Sequence, residues 1–436
     1  MKQTILMMLL MVVGTAGPVI SGPFVGVAIY YLFAVLRPQS LWEWALVVNL
    51  SWSFYVGLAT IISTALYFPR LAAGKRFTAV HFAMFAFAVW ITLSNFSALN
   101  REVSSFWYWE YLKIFAMFFC SSLVIGEFSQ VRTLYMVALF SLGYIAYEMN
   151  ILYFIDHRLD IYFVGFGGLD NNGAGLMVAM GIPMAYFMWQ AYRQWWRWGF
   201  LGMLLLMLHA VLMSFSRGAM VALLVSSPLL ILRSKQKKSM IMFVTGLLFA
   251  LPLLAGPQIQ ARFFSTKQYE EDRSAQSRLE GWNAGWSIAK DHPVLGVGLR
   301  NSDMLSARYG ADVAGRTIHS QYFQILADSG FPALTFYIMT LFAAWRALRR
   351  TQKNCRNASS ETDQLAYNMA SGIEGAIAVF CIGATFLSLQ IFELPYLLIL
   401  LALKLSLTVM RQEASMASSS ITFPAARRVV TSYTEA

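Results

Sequence analysis

The sequence predicts an all-α polytopic membrane protein, a bundle of about 12 transmembrane helices with one large outer loop that contains short helices. Of the 436 residues, 58% are hydrophobic and only 13% are charged, and the mean hydropathy is +0.55. Soluble domains carry about 25% charged residues. The net charge of +11 falls in short clusters between apolar runs, as topology signals do. We therefore expect a lipid bilayer around the chain and no nucleic-acid partner.

Apolar runs of span length follow one another along the chain. A helix that crosses a bilayer needs about 20 predominantly apolar residues. The first block, residues 4–36, is interrupted by glycines and prolines and crosses the membrane either once or twice. The further spans are predicted at residues 41–67, 77–95, 107–125, 132–154, 172–190, 198–214, 216–232, 239–256, 331–348, 368–388 and 391–410.

One long polar segment divides these spans. We expect an N-terminal transmembrane bundle at residues 1–256, a large outer loop at 257–330, C-terminal transmembrane helices at 331–410 and a flexible cytoplasmic tail at 411–436. Lys and Arg of the short connections gather on one side, whereas residues 257–318 hold eight basic and seven acidic residues. Because excess positive charge marks the cytoplasmic side, the large loop is predicted to lie on the opposite side.

Cysteine spacing and acidic clusters indicate no metal. The three cysteines, Cys120, Cys355 and Cys381, are far apart, and no zinc-ligand spacing follows from them. The three consecutive carboxylates at residues 270–272 cannot all face one ion on regular backbone, so a solvated loop is the better interpretation. We expect neither a metal nor a cofactor.

Arg217 is the first candidate for chemistry. It stands in Ser216–Arg217–Gly218, between two apolar runs and at the predicted outer end. An arginine near the membrane costs a few kcal/mol unless it is satisfied. One interpretation is a side chain that reaches lipid phosphates; the other is a contact to an anionic substrate, because the guanidinium group binds phosphate oxygens in pairs. Gly218 would permit close approach of a ligand.

Lys113, Asn171 and Asn172 are further candidates for binding an anion on the outer side. Lys113 follows Glu110 by three residues, so an intrahelical ion pair explains it as well as a substrate contact does. Asn171 and Asn172 follow Asp170 at a predicted helix start, where such residues cap the helix. The same helix N-terminus could help to bind an anion.

The large loop contains two predicted helices. Arg278 begins an amphipathic stretch that ends at His292–Pro293 and suggests a helix lying on the membrane surface. For Arg278 alone, the simpler interpretation is a solvated arginine that pairs with Glu280 or Glu271. His319 begins a second helical run that stops at Gly330. A lone histidine is more often structural, yet imidazole is suited to accept a proton from a hydroxyl at neutral pH.

These segments resemble the O-antigen ligase superfamily, which includes the Wzy-type polymerases. The resemblance rests on Ser216–Arg217–Gly218–Ala219 at a span start, on the stretch from Ser277–Arg278–Leu279 to the turn at residues 292–298, and on His319–Ser320 with Gly330 eleven residues later. It covers roughly residues 105–345. Residues 170–172 and 36–38 also resemble the branch of exosortase-associated O-glycosylation ligases.

The resemblance implies a metal-independent, inverting glycosyltransferase of the bacterial inner membrane with its active site in a large periplasmic loop. The donor would be a glycan on a polyprenyl-diphosphate carrier, and the acceptor a hydroxyl of lipid A core, of another glycan or of a protein Ser or Thr. Arg217 and Arg278 would neutralise the diphosphate and His319 would act as the base. Lys113, Asn171, Asn172, Ser216 and Gly218 would bind the substrate.

Two alternatives share the same donor. A Wzy-type polymerase differs only in its acceptor, which residue chemistry cannot distinguish because every acceptor offers a hydroxyl. A flippase for lipid-linked glycans would instead carry polar residues throughout its spans. The charges cluster at the outer rim, which favours an enzyme. Glu393 is an intramembrane carboxylate without a visible partner in the sequence, and its role stays open at this point.

Overall fold

The structure is a computed structural model. It describes residues 2–42, 52–73, 75–155, 161, 165–238, 240–242, 245, 273–311, 313, 315–358 and 360–420. In this part of the chain the regular structure is helical. The α-helices are α1 (Lys2–Ser21), α2 (Pro23–Leu36), α3 (Pro38–Leu41), α4 (Trp52–Leu66), α5 (Phe68–Ala72), α6 (Ala79–Phe96), α7 (Arg101–Val124), α8 (Phe128–Phe154), α9 (Asn171–Ala191), α10 (Arg197–Met213), α11 (Arg217–Arg233), α12 (Arg273–Asp291), α13 (Asn301–Leu305), α14 (Gln321–Cys355), α15 (Glu361–Gly383) and α16 (Glu393–Ser420).

Eight helical segments of the described chain are long and apolar enough to cross a membrane, which confirms a multi-pass, all-helical protein. The helices α4 and α10 are apolar but shorter. The predicted span at 239–256 falls mostly outside the described residues, so the number of crossings stays a prediction. The flexible tail also stays a prediction: α16 extends to Ser420, and residues 421–436 lie outside the described part.

The first apolar block forms two helices. The break lies at Gly22, which has a φ of 99° that glycine adopts without strain, and Pro23 follows as the first residue of α2. The helix α1 continues through Pro18. The block was predicted to form one or two spans. Two segments of span length are found at the N-terminal end: α1 is one, and α2 together with α3, Pro23–Leu41, is the other.

The buried centre of the bundle is formed by α9, α15 and α16. Small residues allow two of these helices to approach closely: a Cβ on Gly375 would lie 2.7 Å from Pro183, and one on Gly372 would lie 3.1 Å from the Cα of Met184. Such small-residue contacts are how helices pack in a membrane, where apolar burial gives little driving force. Tyr135 of α8 donates a hydrogen bond of 2.9 Å to the Met184 carbonyl and joins α8 to this core.

A kink at Gly330 divides α14 into two helical segments. Gly330 has φ 81° and ψ 176°, and the second segment begins beside Pro332. The predicted helix stop is therefore confirmed, although the chain turns helical again at once. The turn at residues 292–298 packs into the kink: Phe331 donates its N–H to the Pro293 carbonyl at 2.9 Å. A Cβ on Gly330 would lie 2.2 Å from the Val294 carbonyl oxygen.

We predict that Gly330→Ala destabilises the protein more than Gly310→Ala. Both glycines have φ near 90°, where alanine costs about 1–2 kcal/mol. Only at Gly330 would the added methyl group collide with backbone, because nothing lies within 4 Å of a Cβ on Gly310. Thermal unfolding of the two purified variants in detergent measures the difference. Equal unfolding temperatures would contradict the close contact between kink and turn.

Candidate active site

His319 lies at the junction of the loop and α14. Its backbone adopts the left-handed conformation, with φ 55°, and its carbonyl oxygen accepts a hydrogen bond of 3.3 Å from Trp282 Nε1. Burial and then the charge of Arg278 lower the pKa of the imidazole below its ordinary value of 6.5; Arg316 and Arg300 act in the same direction and Asp170 in the opposite one. The lowered pKa favours the neutral imidazole, which is the form able to accept a proton.

Helix α12 holds Arg278 near His319. Two glycines let α12 pack on the segment that precedes His319: a Cβ on Gly281 would lie 3.0 Å from the Ile318 carbonyl oxygen, and Gly285 also faces Ile318. Trp282 lies one helical turn after Arg278 and stacks on Phe323 of α14, with ring centroids 6.0 Å apart. The helix predicted from Arg278 is present, but it starts at Arg273 and its apolar residues pack on α14. Its position at the membrane surface stays a prediction.

Arg217 is the first residue of α11. Ser216 caps this helix, accepting a hydrogen bond of 3.3 Å from the Ala219 N–H, and Phe215 before it has a left-handed φ of 54°. A Cβ on Gly218 would lie 3.6 Å from Phe386, whose ring is 6.0 Å from that of Trp282. Phe386 thus connects the start of α11 with α12, so Arg217 and Arg278 belong to one region.

The N-terminus of α9 adjoins the same region. Asp170 caps α9, accepting a hydrogen bond of 2.8 Å from the Gly173 N–H, as the residue type predicted. Asn171 is buried and donates to the Ser214 carbonyl at 3.0 Å, which ties α9 to the turn before α11. Asn172 donates to Asn171 Oδ1 at 3.1 Å. The capping interpretation therefore holds for Asp170, and the substrate contacts of the two asparagines stay predictions.

Lys113 forms the expected pair with Glu110, at 2.5 Å, and both side chains are about one third exposed. The pair is close enough to Glu393 to interact with it electrostatically, and Glu393 also interacts with Arg37 and the hydroxyl of Tyr30. The intramembrane carboxylate thus has basic and hydroxyl partners from α2, from Arg37 directly after it and from α7. A substrate contact of Lys113 stays a prediction.

A buried polar network lies beneath His319 in the first segment of α14. Asp328 is fully buried and accepts hydrogen bonds on Oδ1 from the Ser302 hydroxyl at 2.6 Å and the Ser302 N–H at 3.3 Å. Its Oδ2 accepts from Gln324 at 3.1 Å and from Gln390 at 3.2 Å. Four donors thus satisfy one carboxylate and join α13, α14 and the segment before α16.

Arg300 is a cation of this region that the motifs did not single out. It has a left-handed φ of 58°, pairs with Asp303 at 3.0 Å and lies 4.8 Å from the ring centroid of Trp107. Burial raises the pKa of Asp303 to about 6, although Arg300 opposes this shift. The Nε of Arg300 is buried and has no hydrogen-bond partner among the described residues.

Among the described residues, no three His, Cys, Asp or Glu side chains are grouped so that they could hold a metal ion. The charged groups gathered around His319 are arginines and carboxylates.

Residues 202–338 match the family model described as O-antigen ligase (Wzy_C). The resemblance drawn from the motifs is confirmed. The matched segment contains Arg217, Arg278 and His319, and it supports a membrane glycosyltransferase of the O-antigen ligase or polymerase type. No curated protein matches the chain.

The O-antigen ligase-like segment contains more functional candidates than the sequence revealed. The sequence analysis missed Arg300 and Asp328 because their burial and their contacts depend on residues that are distant along the chain. A local signal existed for both: Arg300 directly follows Gly298–Leu299 after the turn, and Asp328 is an acid within an apolar helical run. An ionisable residue in such a run is a site hypothesis by default.

We predict that Asp328→Asn destabilises the O-antigen ligase-like segment. Both oxygens of Asp328 accept hydrogen bonds from donors, so an amide NH2 on either side would face a donor and leave buried groups unsatisfied. Each such loss costs about 1–3 kcal/mol. Ser388→Ala is the control, because it removes one peripheral hydrogen bond, of 3.1 Å, to Gln324. Unfolding temperatures that fall equally in both variants would refute a special role of Asp328.

We predict opposite pH shifts for Arg316→Gln and Asp170→Asn. Removing Arg316 removes a positive charge that lowers the pKa of His319, so the acid limb of the pH–rate profile should move to higher pH. Removing the Asp170 charge should move it to lower pH, and asparagine can still cap α9. Glycan-transfer rates measured across pH check both shifts. If the acid limbs of the two variants shift in the same direction, or if neither shifts, His319 is excluded as the titrating base.

Proposed function

We propose that this protein transfers a glycan from a polyprenyl-diphosphate carrier to an acceptor hydroxyl at the periplasmic face of the bacterial inner membrane. The observation that carries the proposal is the position of His319 beside α12, where burial and then Arg278 lower its pKa and Arg316 and Arg300 act in the same direction. A base must be unprotonated to accept a proton, and a diphosphate leaving group requires positive charge nearby. The O-antigen ligase match covers these residues.

In the proposed step the acceptor oxygen attacks the anomeric carbon while the bond from this carbon to the diphosphate oxygen breaks. The hydroxyl proton passes to a ring nitrogen of His319 and later to solvent. Arg217 and Arg278 neutralise the charge that develops on the departing diphosphate, so the step uses no metal. Direct displacement inverts the configuration at the anomeric carbon.

Several residues would bind the donor around this centre. The buried Nε of Arg300, which has no hydrogen-bond partner in the part of the chain that the structure describes, offers a further donor for an anionic oxygen. Lys113 and the N-terminus of α9, with Asn171 and Asn172, extend the cationic region toward Glu393 and Arg37. Ser216 and Gly218 set the backbone of the α11 start, from which Arg217 projects. Arg37 Nη1 lies 3.5 Å from the Gly168 carbonyl oxygen, so the segment at residues 36–38 contacts the one at 165–170, directly before α9.

We predict that His319→Ala lowers glycan transfer by about 10²–10⁴-fold, the usual contribution of a general base. Arg217→Ala and Arg278→Ala should each lower it by about 10²-fold or more, because charge stabilisation at a leaving group is lost. Arg308→Ala is the matched control, since this arginine is exposed in the same loop. A deletion strain complemented with each variant reports surface glycan and accumulated lipid-linked donor, with expression monitored.

The accumulated donor distinguishes the alternatives. Intact donor on the outer leaflet indicates a lost transfer step, and the missing product then identifies a ligase or a Wzy-type polymerase by its acceptor. Donor retained on the inner leaflet would indicate a flippase instead. Full transfer activity in His319→Ala would overturn the assignment of the base.

A further inference from the structure

The opposite end of the bundle contains a basic cavity that glycan transfer does not use. The helices α6, α7 and α16 connect the two ends: Ser94 and Ser104 contact the active-site region, whereas His81, Ser122 and Lys404 lie several turns away. These latter residues line a cavity of about 670 Å³. Its other polar lining residues are Lys75, Arg76 and Arg411.

Lys404 is an ammonium group within a span, and only 3% of it is exposed. It donates to the Ser122 carbonyl at 2.5 Å, and Lys75 donates to the Ile125 carbonyl at 2.9 Å. The two ammonium groups lie close enough to repel each other. None of the described lining residues of this cavity is acidic. A buried lysine beside a half-buried one, without a carboxylate among the described lining residues, is costly in the charged form, and an anion would offset the repulsion between the two ammonium groups.

Lys75 lies outside the spans and shows the same excess of positive charge. Burial, and then the charge of Arg411, lower its pKa. His81 adds no compensating negative charge: its Nδ1 accepts from the Thr78 N–H at 3.2 Å, and its Nε2 is 2.6 Å from the Ser122 hydroxyl. Among the described lining residues, His81 included, no group compensates the positive charge of the cavity.

An apolar groove of about 300 Å³ adjoins the cavity and shares Leu407 and Met410 with it. The groove lies between α6, α14 and α16, and its walls include Phe82, Met339 and Phe342, which are 57%, 42% and 51% exposed. Arg346 and Arg350 also line it. A basic cavity continued by an exposed apolar groove has the chemistry of a phospholipid site, with separate places for a headgroup and a chain.

We propose that this cavity and groove bind one anionic phospholipid of the leaflet at the basic end of the bundle. The lipid phosphate would lie between Lys75, Lys404 and Arg411, and an acyl chain would follow the groove along Phe82, Met339 and Phe342. The occupant is a lipid rather than a soluble anion because the exposed apolar walls would otherwise have no ligand of matching chemistry. The lipid would connect α6, α14 and α16, whose other ends surround the Asp328 network.

The test uses the full-length protein, purified in detergent and stripped of lipid. Phosphatidylglycerol should bind, as seen by native mass spectrometry, and should raise the unfolding temperature more than phosphatidylcholine does. Lys75→Gln and Arg411→Gln should each weaken binding about fivefold, which corresponds to about 1 kcal/mol for each basic residue at a lipid headgroup. Both side chains are partly or fully exposed, so these variants should fold even where Lys404→Met does not.

Arg132→Gln is the matched control. Arg132 lines another cavity with Arg193, but Glu127 and Glu361 balance the charge there. Unchanged binding in this control, with weakened binding in both test variants, supports the site. Equal effects of phosphatidylcholine and phosphatidylglycerol would overturn it. Inorganic phosphate that raises the unfolding temperature as much as phosphatidylglycerol would overturn the lipid assignment and indicate a site for a soluble anion.

Discussion

The buried carboxylate of Asp328 is the constraint around which the end of the bundle that holds His319 is organised. A carboxylate away from water is stable only when donors surround it, and Ser302, Gln324 and Gln390 supply them from separate segments. The main chain at the same residue accepts from Gly298 N–H at 2.8 Å and from the Ser94 hydroxyl at 2.9 Å. One residue therefore holds α6, the turn, α13, α14 and the segment before α16 together.

This constraint determines where His319 lies. The first segment of α14 is fixed at its far end by the Gly330 kink and at its near end by Gln321, whose N–H donates to the Ala384 carbonyl at 2.8 Å. Gln321 also accepts from the Leu389 N–H at 2.8 Å. His319 lies two positions before this fixed helix, so its backbone has little conformational freedom. The left-handed backbone of His319, costly for a residue with a side chain, persists because its surroundings determine it.

The features that the sequence predicted correctly are those with local causes. The end of α12 near His292 and the interruption at Gly330 follow from proline and glycine chemistry, and the capping of α9 by Asp170 follows from its residue type. The start of α12 was placed five residues late because Arg273–Ser277 carries no apolar periodicity. A polar helix start gives no hydrophobic signal, so its first turn cannot be recognised from pattern alone.

The features that the sequence could not predict depend on contacts between distant segments. Arg300 is an ordinary loop arginine in the sequence; its burial against Trp107 requires the fold of α7 around the turn. Glu393 showed no partner because Tyr30 and Lys113 lie hundreds of residues away along the chain. The proposed chemistry shares this dependence, since a neutral His319 requires both its burial and the arginines from other segments.

The two ends of the bundle differ in how far carboxylates compensate their positive charge. At the end that holds His319, carboxylates such as Asp303 and Asp328 lie among the arginines, so the positive charge is partly compensated and the proposed diphosphate could enter and leave. At the other end, Glu374 compensates Arg233 through two hydrogen bonds of 2.6 and 2.9 Å, but the described lining of the Lys75–Lys404 cavity has no acid. A site of turnover must release its anion, whereas a site that stabilises the fold gains from retaining one. Partial compensation of the positive charge suits the proposed release of an anion near His319. The lack of an acid in the described lining of the Lys75–Lys404 cavity suits the proposed retention of one.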